Sequence, residues 1–302
     1  MPFDGFLNLL KPPGMTSHNA VSWLRRLTGS VAGHAGTLDR AAAGVLVICV
    51  GRARRLSRWA MEGDKSYVAE ITFGITTDTL DAEGVMLTDV DASGLAANDV
   101  KRALAQFEGE IEQVAPAYSA VHAGGIRLHE LARQGLAVPR RTRTVRIIEA
   151  RLLDFDAGAS APDSRHPRAR VAVDCSKGTY IRSLASDIGA ALGCGAYVSF
   201  LARTRSGTFD IGDSLTIEET QAAVADARFD QVLRSMDQPL ASLPAVHLAS
   251  GEAQLAARGS TVRVPEQRPT SGPVRIYGPN ATFIGVGEVR GDALHPRVVL
   301  TG

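Results

Sequence analysis

Lysine is scarce in this chain. It stands only at positions 11, 65, 101 and 177, so the remaining positive charge is arginine. Cysteine is scarcer still, and Cys49, Cys175 and Cys194 are far apart. Three dispersed thiols argue against a disulfide framework or a zinc knuckle and fit a reducing cytosol. Each sits among apolar or small residues, which predicts three buried free thiols. No apolar run approaches the ~20 residues of a membrane span. The opening Met1-Pro2-Phe3-Asp4-Gly5-Phe6 lacks the basic and apolar regions of a secretion signal. A cytoplasmic protein with no membrane partner is therefore expected. No Cys/His set has metal-ligand spacing, and no Gly-x-Ser-x-Gly elbow of a serine hydrolase occurs. The turn Lys11-Pro12-Pro13-Gly14-Met15-Thr16-Ser17 lacks the glycine spacing of a Walker loop, which excludes a nucleoside triphosphate site of that type.

What is present is a chain of 302 residues with 45% apolar content, enough for one large domain or a large one plus a small one. Phe6 to Leu10 reads as a strand. Thr16 or Ser17 can cap a helix carrying Ala20, Leu24 and Leu27, stopped by Gly29. Ser66 to Phe73 alternates as a half-buried strand does. Asn98 can cap a helix closed by Gly109. Val145 to Leu153 and Arg170 to Asp174 read as strands, and Ile181, Leu184, Ile188 and Leu192 form a helical stripe ended by Gly193. Without a regular β-α-β beat, the pattern predicts an α+β fold around a mixed, mostly antiparallel sheet. Tyr118 to Arg143 reads as a mobile surface arm with a short helical piece from Leu128 to Arg133, and Asp156 to His166 as an exposed loop. From about Leu243 onward short β-like runs dominate, which predicts a small β-rich module of a size that can just fold alone.

Net charge is only +1, but arginines cluster at 52, 54, 55 and 58, at 140, 141, 143 and 146, and at 165, 168 and 170. Arginine favours forked contacts to phosphate, so these clusters read equally as RNA contacts or as a solvated surface. One carboxylate, Asp39, lies among glycines, His34 and small residues in the stretch Gly33 to Leu46, where a planar ligand can approach the backbone. It is a candidate nucleophile; taken alone it reads first as a helix cap. Arg182, in Cys175-Ser176-Lys177-Gly178-Thr179-Tyr180-Ile181-Arg182, falls in the first turn of a predicted helix, where a cation opposes the helix dipole. A carboxylate brought from elsewhere would offset that cost, and Asp39 is the natural partner. Tyr67 and Tyr180 read as half-buried packing or as ligand-facing rings, and Leu201 as core.

These segments occur in order in one family. The chain resembles the bacterial tRNA pseudouridine-55 synthases (TruB) in Lys11–Ser17, Gly33–Leu46, Asp64-Lys65-Ser66-Tyr67, Ala132-Arg133-Gln134-Gly135, Cys175–Arg182 and Gly193-Cys194-Gly195-Ala196, spanning roughly residues 6 to 240. The resemblance implies a pseudouridine synthase-like catalytic domain over 1–242, with an RNA-binding arm at about 118–143, and a PUA-like RNA-binding module over 243–302. It implies isomerisation of the T-loop uridine of tRNA, with the base flipped out of its stack. Asp39 would be the nucleophile, attacking ribose C1′ or uracil C6, and Arg182 would hold it. Tyr67 would stack on the base and take part in removing the C5 proton. Tyr180 and Leu201 would line the uracil pocket, and His34 would contact nucleotides displaced by flipping. No metal or organic cofactor is implied, the partner is the T-loop and stem of tRNA, and a monomer is the family expectation. The chain departs from the family pattern at Arg40, where proline usually follows the nucleophile, and at Ala43, usually threonine. Losing the proline is expected to loosen the loop and to add a charge that touches a phosphate or competes for Asp39. Three rivals are a non-catalytic RNA binder, a synthase acting on ribosomal RNA, and a carboxylate-pair glycosidase. The last needs a second carboxylate near the first.

Overall fold

A computed structural model describes residues 3–118, 139–157, 165–264 and 271–300, together with the backbone of two short strands between 118 and 139. The elements run β1 (Gly5–Lys11), α1 (Ser17–Thr28), β2 (Ala32–His34), β3 (Ala43–Val50), α2 (Ser57–Glu62), β4 (Lys65–Phe73), β5 (Ile75–Thr77), β6 (Met86–Asp89), α3 (Ala97–Gln106), β7 (Gly109–Val114), β8 (His122–Ala123), β9 (Ile126–Arg127), β10 (Thr142–Asp156), β11 (Arg168–Cys175), α4 (Ile181–Ala191), β12 (Ala196–Ser206), β13 (Phe209–Asp210), α5 (Ile217–Ala225) and α6 (Phe229–Val232). The remainder is β14 (Ala245–His247), α7 (Ser250–Ala257), β15 (Val262–Arg263), β16 (Ser271–Tyr277), β17 (Phe283–Arg290) and β18 (Ala293–Val299).

The main sheet has the order β1-β3-β12-β4-β11-β10-β7, with β2 added to β3 and β13 to β12. Every described pairing in it is antiparallel except β12 with β3. The predicted mixed, mostly antiparallel α+β fold is therefore the observed one. β3 is apolar almost throughout because both its faces are covered. Leu46, Ile48 and Val50 pack with Leu24 of α1, whereas Val45, Val47 and Cys49 pack on the opposite side with Phe6 and Phe209. That division follows the two-residue period of a strand. β4 alternates as expected: Tyr67, Ala69, Ile71 and Phe73 enter the core formed with Val171, Val173 and the α4 stripe Ile181, Leu184 and Ile188.

Helix ends match the sequence in part. Thr16 caps α1 through its side chain, and Gly29 closes it in the left-handed region at φ 67°. For α3, Asn98 lies inside the first turn, Ala96 holds the cap position, and Asp99 accepts from the Ala96 N–H at 2.9 Å. Gly109 opens β7 and does not close the helix. Two thiols, Cys49 and Cys175, are buried, while Cys194 is half-buried, because it follows the turn at Gly193.

Most of the predicted Tyr118–Arg143 arm, including Leu128 to Arg133, lies outside the described residues, as do 158–164. The described ends of the predicted Asp156–His166 loop correct that expectation. Asp156 ends β10, and His166 is buried, with Nδ1 3.2 Å from the Phe73 carbonyl and Nε2 3.3 Å from Asp89.

The second sheet, β14-β16-β17-β18-β15, curls around a cluster of its own that includes Val246, Ile276 and Leu294, backed by α7. Its other face is shared. Val286 and Leu300 join Phe6, Val45 and Phe209 in one cluster, so beside its own core this module shares a second one with the main sheet. Arg52 pairs with Asp4 at 2.8 Å and donates to the Leu300 carbonyl, and Arg55 donates to Val299. Two arginines of the first cluster are thus joints within the protein.

Candidate active site

Asp39 sits in the loop between β2 and β3. The loop is fixed from beneath: the Ser17 hydroxyl donates to the Leu38 carbonyl and accepts from the Leu38 N–H, both at 2.9 Å. The Ala42 N–H donates to the Asp39 carbonyl at 3.2 Å, closing a turn, and no helix follows. The cap alternative is thereby excluded. The Arg40 carbonyl accepts from Gly14 N at 2.8 Å and from Lys11 Nζ at 3.4 Å. Burial pulls the Lys11 ammonium down to about 8. The Arg40 side chain does not compete for Asp39. Its exposed side chain donates to the Gly14 carbonyl at 3.3 Å and lies 3.6 Å from Glu83.

Arg182 enters from the first turn of α4 and is buried. Its Nη2 donates to Asp39 Oδ1 at 3.2 Å, while Nε lies 2.9 Å from Oδ2, an ion-pair contact off the hydrogen-bonding axis. The pairing expected from the misplaced cation is present. A second carboxylate shares it: Asp81 Oδ2 lies 3.4 Å from Nη1. Nη1 also donates to the Thr79 carbonyl at 2.7 Å, and Nη2 to Tyr118 at 3.0 Å. Asp81 is itself held, its Oδ1 accepting from the Thr79 hydroxyl at 2.6 Å and the Glu83 N–H at 3.1 Å. Sequence reasoning missed Asp81. The turn-forming run Asp78 to Gly84 was the available signal. The guanidinium between the two carboxylates occupies the second one, so the pair does not form the open acid–base couple a glycosidase needs.

Asp39, Tyr67, Tyr180, Arg182 and Leu201 line one cleft of about 490 Å³, with Lys65, Arg143, Lys177 and Arg203 also on its wall. Gln113 sets Tyr180: its side chain accepts from the Tyr180 N–H at 2.8 Å and donates to the carbonyl at 3.0 Å. The Arg143 guanidinium lies 5.0 Å from the Tyr180 ring centre. Burial raises the Tyr67 phenol above its ordinary pKa, and the Arg203 guanidinium beside it pulls it back down. Burial lowers Lys65 to about 8. His34 is not among the residues lining this cleft; it lies on β2 opposite Ile48, with Nδ1 buried and unpartnered. Burial, then the charges of Arg203 and His18, lower its pKa.

Of the arginine clusters, Arg143 reaches the cleft. Arg165, Arg168 and Arg170 instead lie near Asp89, Glu70 and Asp154 at 3.7, 3.8 and 3.0 Å. Among the described residues no group of three His, Cys, Asp or Glu side chains has the geometry to hold a metal ion, and no helix is long and apolar enough to cross a membrane.

Comparison with known proteins places the whole chain in one family. The family model for the TruB family pseudouridylate synthase N-terminal domain matches residues 25–181. The tRNA pseudouridylate synthase B C-terminal domain matches 182–242, and the pseudouridine synthase II TruB C-terminal model matches 244–300. A protein named tRNA pseudouridine synthase B from Pelotomaculum thermopropionicum is 46% identical, covering 87% of this chain and 82% of the relative. One of the same name from Pseudomonas aeruginosa is 40% identical, covering 96% and 93%. Among solved structures, an H/ACA RNP bound to a substrate RNA containing 2′-deoxyuridine aligns with TM-score 0.73 at 23% identity, covering 99% of this chain and 85% of that one. A Cbf5-Nop10-Gar1 complex aligns at 0.70 and 26%, covering 98% and 84%. The structural likenesses share the fold, including the curled C-terminal sheet.

Proposed function

The chain belongs to the TruB family of pseudouridylate synthases, and on that premise we propose that it isomerises the uridine at position 55 in the T-loop of tRNA, with Asp39 as nucleophile. The contact that carries this reading is Arg182 on Asp39 at the wall of a cleft of about 490 Å³, within the size range of small-ligand pockets. The uridine is flipped out of the loop at a cost of a few kcal/mol, offset by stacking on Tyr67 and Tyr180 and by phosphate contacts at the rim, where Arg143 and Lys177 stand. Asp39 remains half-exposed on its cleft side while Arg182 is buried behind it, so the carboxylate is aimed from one side and open on the other. It attacks ribose C1′ or uracil C6, the glycosidic bond breaks, the base turns, and C5 rejoins the sugar. Tyr67 removes the C5 proton, and Leu201 packs against the base.

Arg182 holds Asp39. His34, outside the cleft lining, meets nucleotides displaced by flipping. Residues 1–242 form the catalytic domain and 243–302 the RNA-binding module, and the protein acts on tRNA as a cytoplasmic monomer. The test is incubation with an unmodified tRNA transcript, followed by chemical labelling of pseudouridine and primer extension. A single stop at the T-loop uridine is expected. Asp39→Ala is expected to abolish product while leaving tRNA binding largely intact. Unchanged turnover in that variant sinks the nucleophile assignment.

A further inference from the structure

Arg203 is among the largest fully buried side chains of the protein, yet no carboxylate of the described residues pairs with it. A buried cation without a counter-charge is costly, and its placement therefore asks for a reason. Its three nitrogens are spent on backbone carbonyls: Nε donates to Val45 at 2.8 Å, Nη1 to Thr37 at 3.3 Å and Nη2 to Gly36 at 3.3 Å. Gly36 and Thr37 lie just ahead of Asp39 in the same loop. On β12, Arg203 stands in register with Tyr67 of β4 and with Gly44 of β3. Strand partners directly opposite each other project to the same face, and both side chains line the cleft.

We propose that Arg203 is a positioning residue for the reaction, fixing the loop that carries Asp39 through the Gly36 and Thr37 carbonyls while its charge readies the phenol oxygen of Tyr67 to take the C5 proton. Arginine carries donors and a fixed positive charge but no acceptor, so beside the Tyr67 phenol it can only favour the anion. A phenol next to a cation is favoured as phenolate. Burial raises the Tyr67 phenol, the Arg203 charge opposes that rise, and Cys175 on β11 and Asp39 on the loop add to it. The cleft wall also carries the charged side chains Lys65 on the same strand, Arg143 on β10, Lys177 on the loop before α4 and Arg182 on α4. In the proton transfer, the C5–H bond breaks toward the Tyr67 oxygen and its electron pair forms the C5=C6 bond. That pair displaces the N1=C6 pair onto N1, which is then protonated, or, after attack at C6, the Asp39 carboxylate. Tyr67 returns its proton to solvent.

This inference rests on the proposed reaction, and the experiment separates the two. Single-turnover rates on a tRNA transcript are measured against pH for the unaltered protein, Arg203→Gln and Arg203→Lys. In parallel, the tyrosine ¹³Cζ resonances of the RNA-free proteins are titrated, with Tyr67 assigned by its loss in Tyr67→Phe. For Arg203→Gln, the rate at neutral pH is expected to fall at least about tenfold and to recover as pH rises, with the Tyr67 titration moved upward. Arg203→Lys keeps the charge but not the three-way hold on the carbonyls. It is expected to leave the Tyr67 titration near its original position and to lower the rate at every pH. A Tyr67 titration unmoved in Arg203→Gln, or a loss uniform across pH in that variant, overturns the proposal. Should Arg203→Gln fail to fold, an upward move in Arg203→Lys, which retains the charge, overturns it equally. Absence of pseudouridine from the unaltered protein would instead refute the reaction itself.

Discussion

Replacing Asp81 by asparagine isolates the second carboxylate on Arg182. The substitution preserves shape and keeps an oxygen for the Thr79 hydroxyl and the Glu83 N–H; what it removes is charge. At the 3.4 Å separation from Arg182, unit charges in an effective dielectric of about 20 attract by roughly 5 kcal/mol. Desolvation cancels much of that for a buried pair, leaving about 2 kcal/mol, in the range found for hydrogen bonds to charged groups. Arg182 keeps Asp39 and the Thr79 and Tyr118 carbonyls, so it stays buried but shifts toward Asp39 and draws the carboxylate off its aim. If that whole amount is felt in the transition state, the rate falls roughly 30-fold. The assay is single-turnover release of tritium from tRNA labelled at uridine C5, beside a tRNA-binding measurement and a thermal melt. The expected result is a ten- to hundredfold slower release, tRNA affinity changed less than about threefold, and a melting temperature lower by about 3 °C. A rate within twofold of the original, with the melt lowered, would refute the reasoning and reduce Asp81 to a loop anchor.

Other expectations follow from burial. Lys65 is held at about 8 in the folded chain against 10.5 for a free side chain; between those values the unfolded state binds more protons, so stability rises with pH. The stability of the original protein relative to Lys65→Met should therefore be flat below about pH 8 and climb up to about pH 10.5, as read by urea melts at several pH values. Burial pushes the Cys49 thiol up to about 12 and Cys175 to about 11, so a disulfide reagent at pH 8 should label half-buried Cys194 first, as mass spectrometry of the peptides would reveal. Gly44 lies at φ +104°, and an added Cβ would stand 2.2 Å from the Arg203 carbonyl oxygen. Gly44→Ala should part β3 from β12 and cost at least about 1–3 kcal/mol of stability from backbone strain alone, measurable as a lowered melting temperature.

The Asp39–Arg182 contact was legible before any coordinates because a cation in the first turn of a helix is locally unfavourable, and such a residue advertises a distant partner. Asp81 was not, because an aspartate in a polar turn is locally unremarkable and its value arises only when Ile75–Asp89 folds over α4. Arg203 sits in a strand whose neighbours read as core, and burial of its charge is visible only in three dimensions. The place of His34 was not legible either: membership of the Gly33–Leu46 motif does not disclose that the pairing of β2 with β3 sets it outside the cleft lining. The sheet itself was readable from alternation in β4 and continuous apolarity in β3. Its order was not, since β12 inserts between β3 and β4 from more than a hundred residues away, and no local period encodes that pairing.

The shared cluster beneath the two sheets has a consequence for biogenesis. Phe6 and Leu300 belong to the same apolar cluster, and the Arg52 side chain ties Asp4 to the Leu300 carbonyl. On a ribosome, β1 and β3 emerge long before the strand that covers them. Their apolar face is covered in steps, by Ala53, Leu56 and Ala60 soon after, by Phe209 and Leu240 later, and by Val286 and Leu300 last, so part of it stays open until nearly three hundred residues have been polymerised, an interval in which exposed apolar surface favours aggregation.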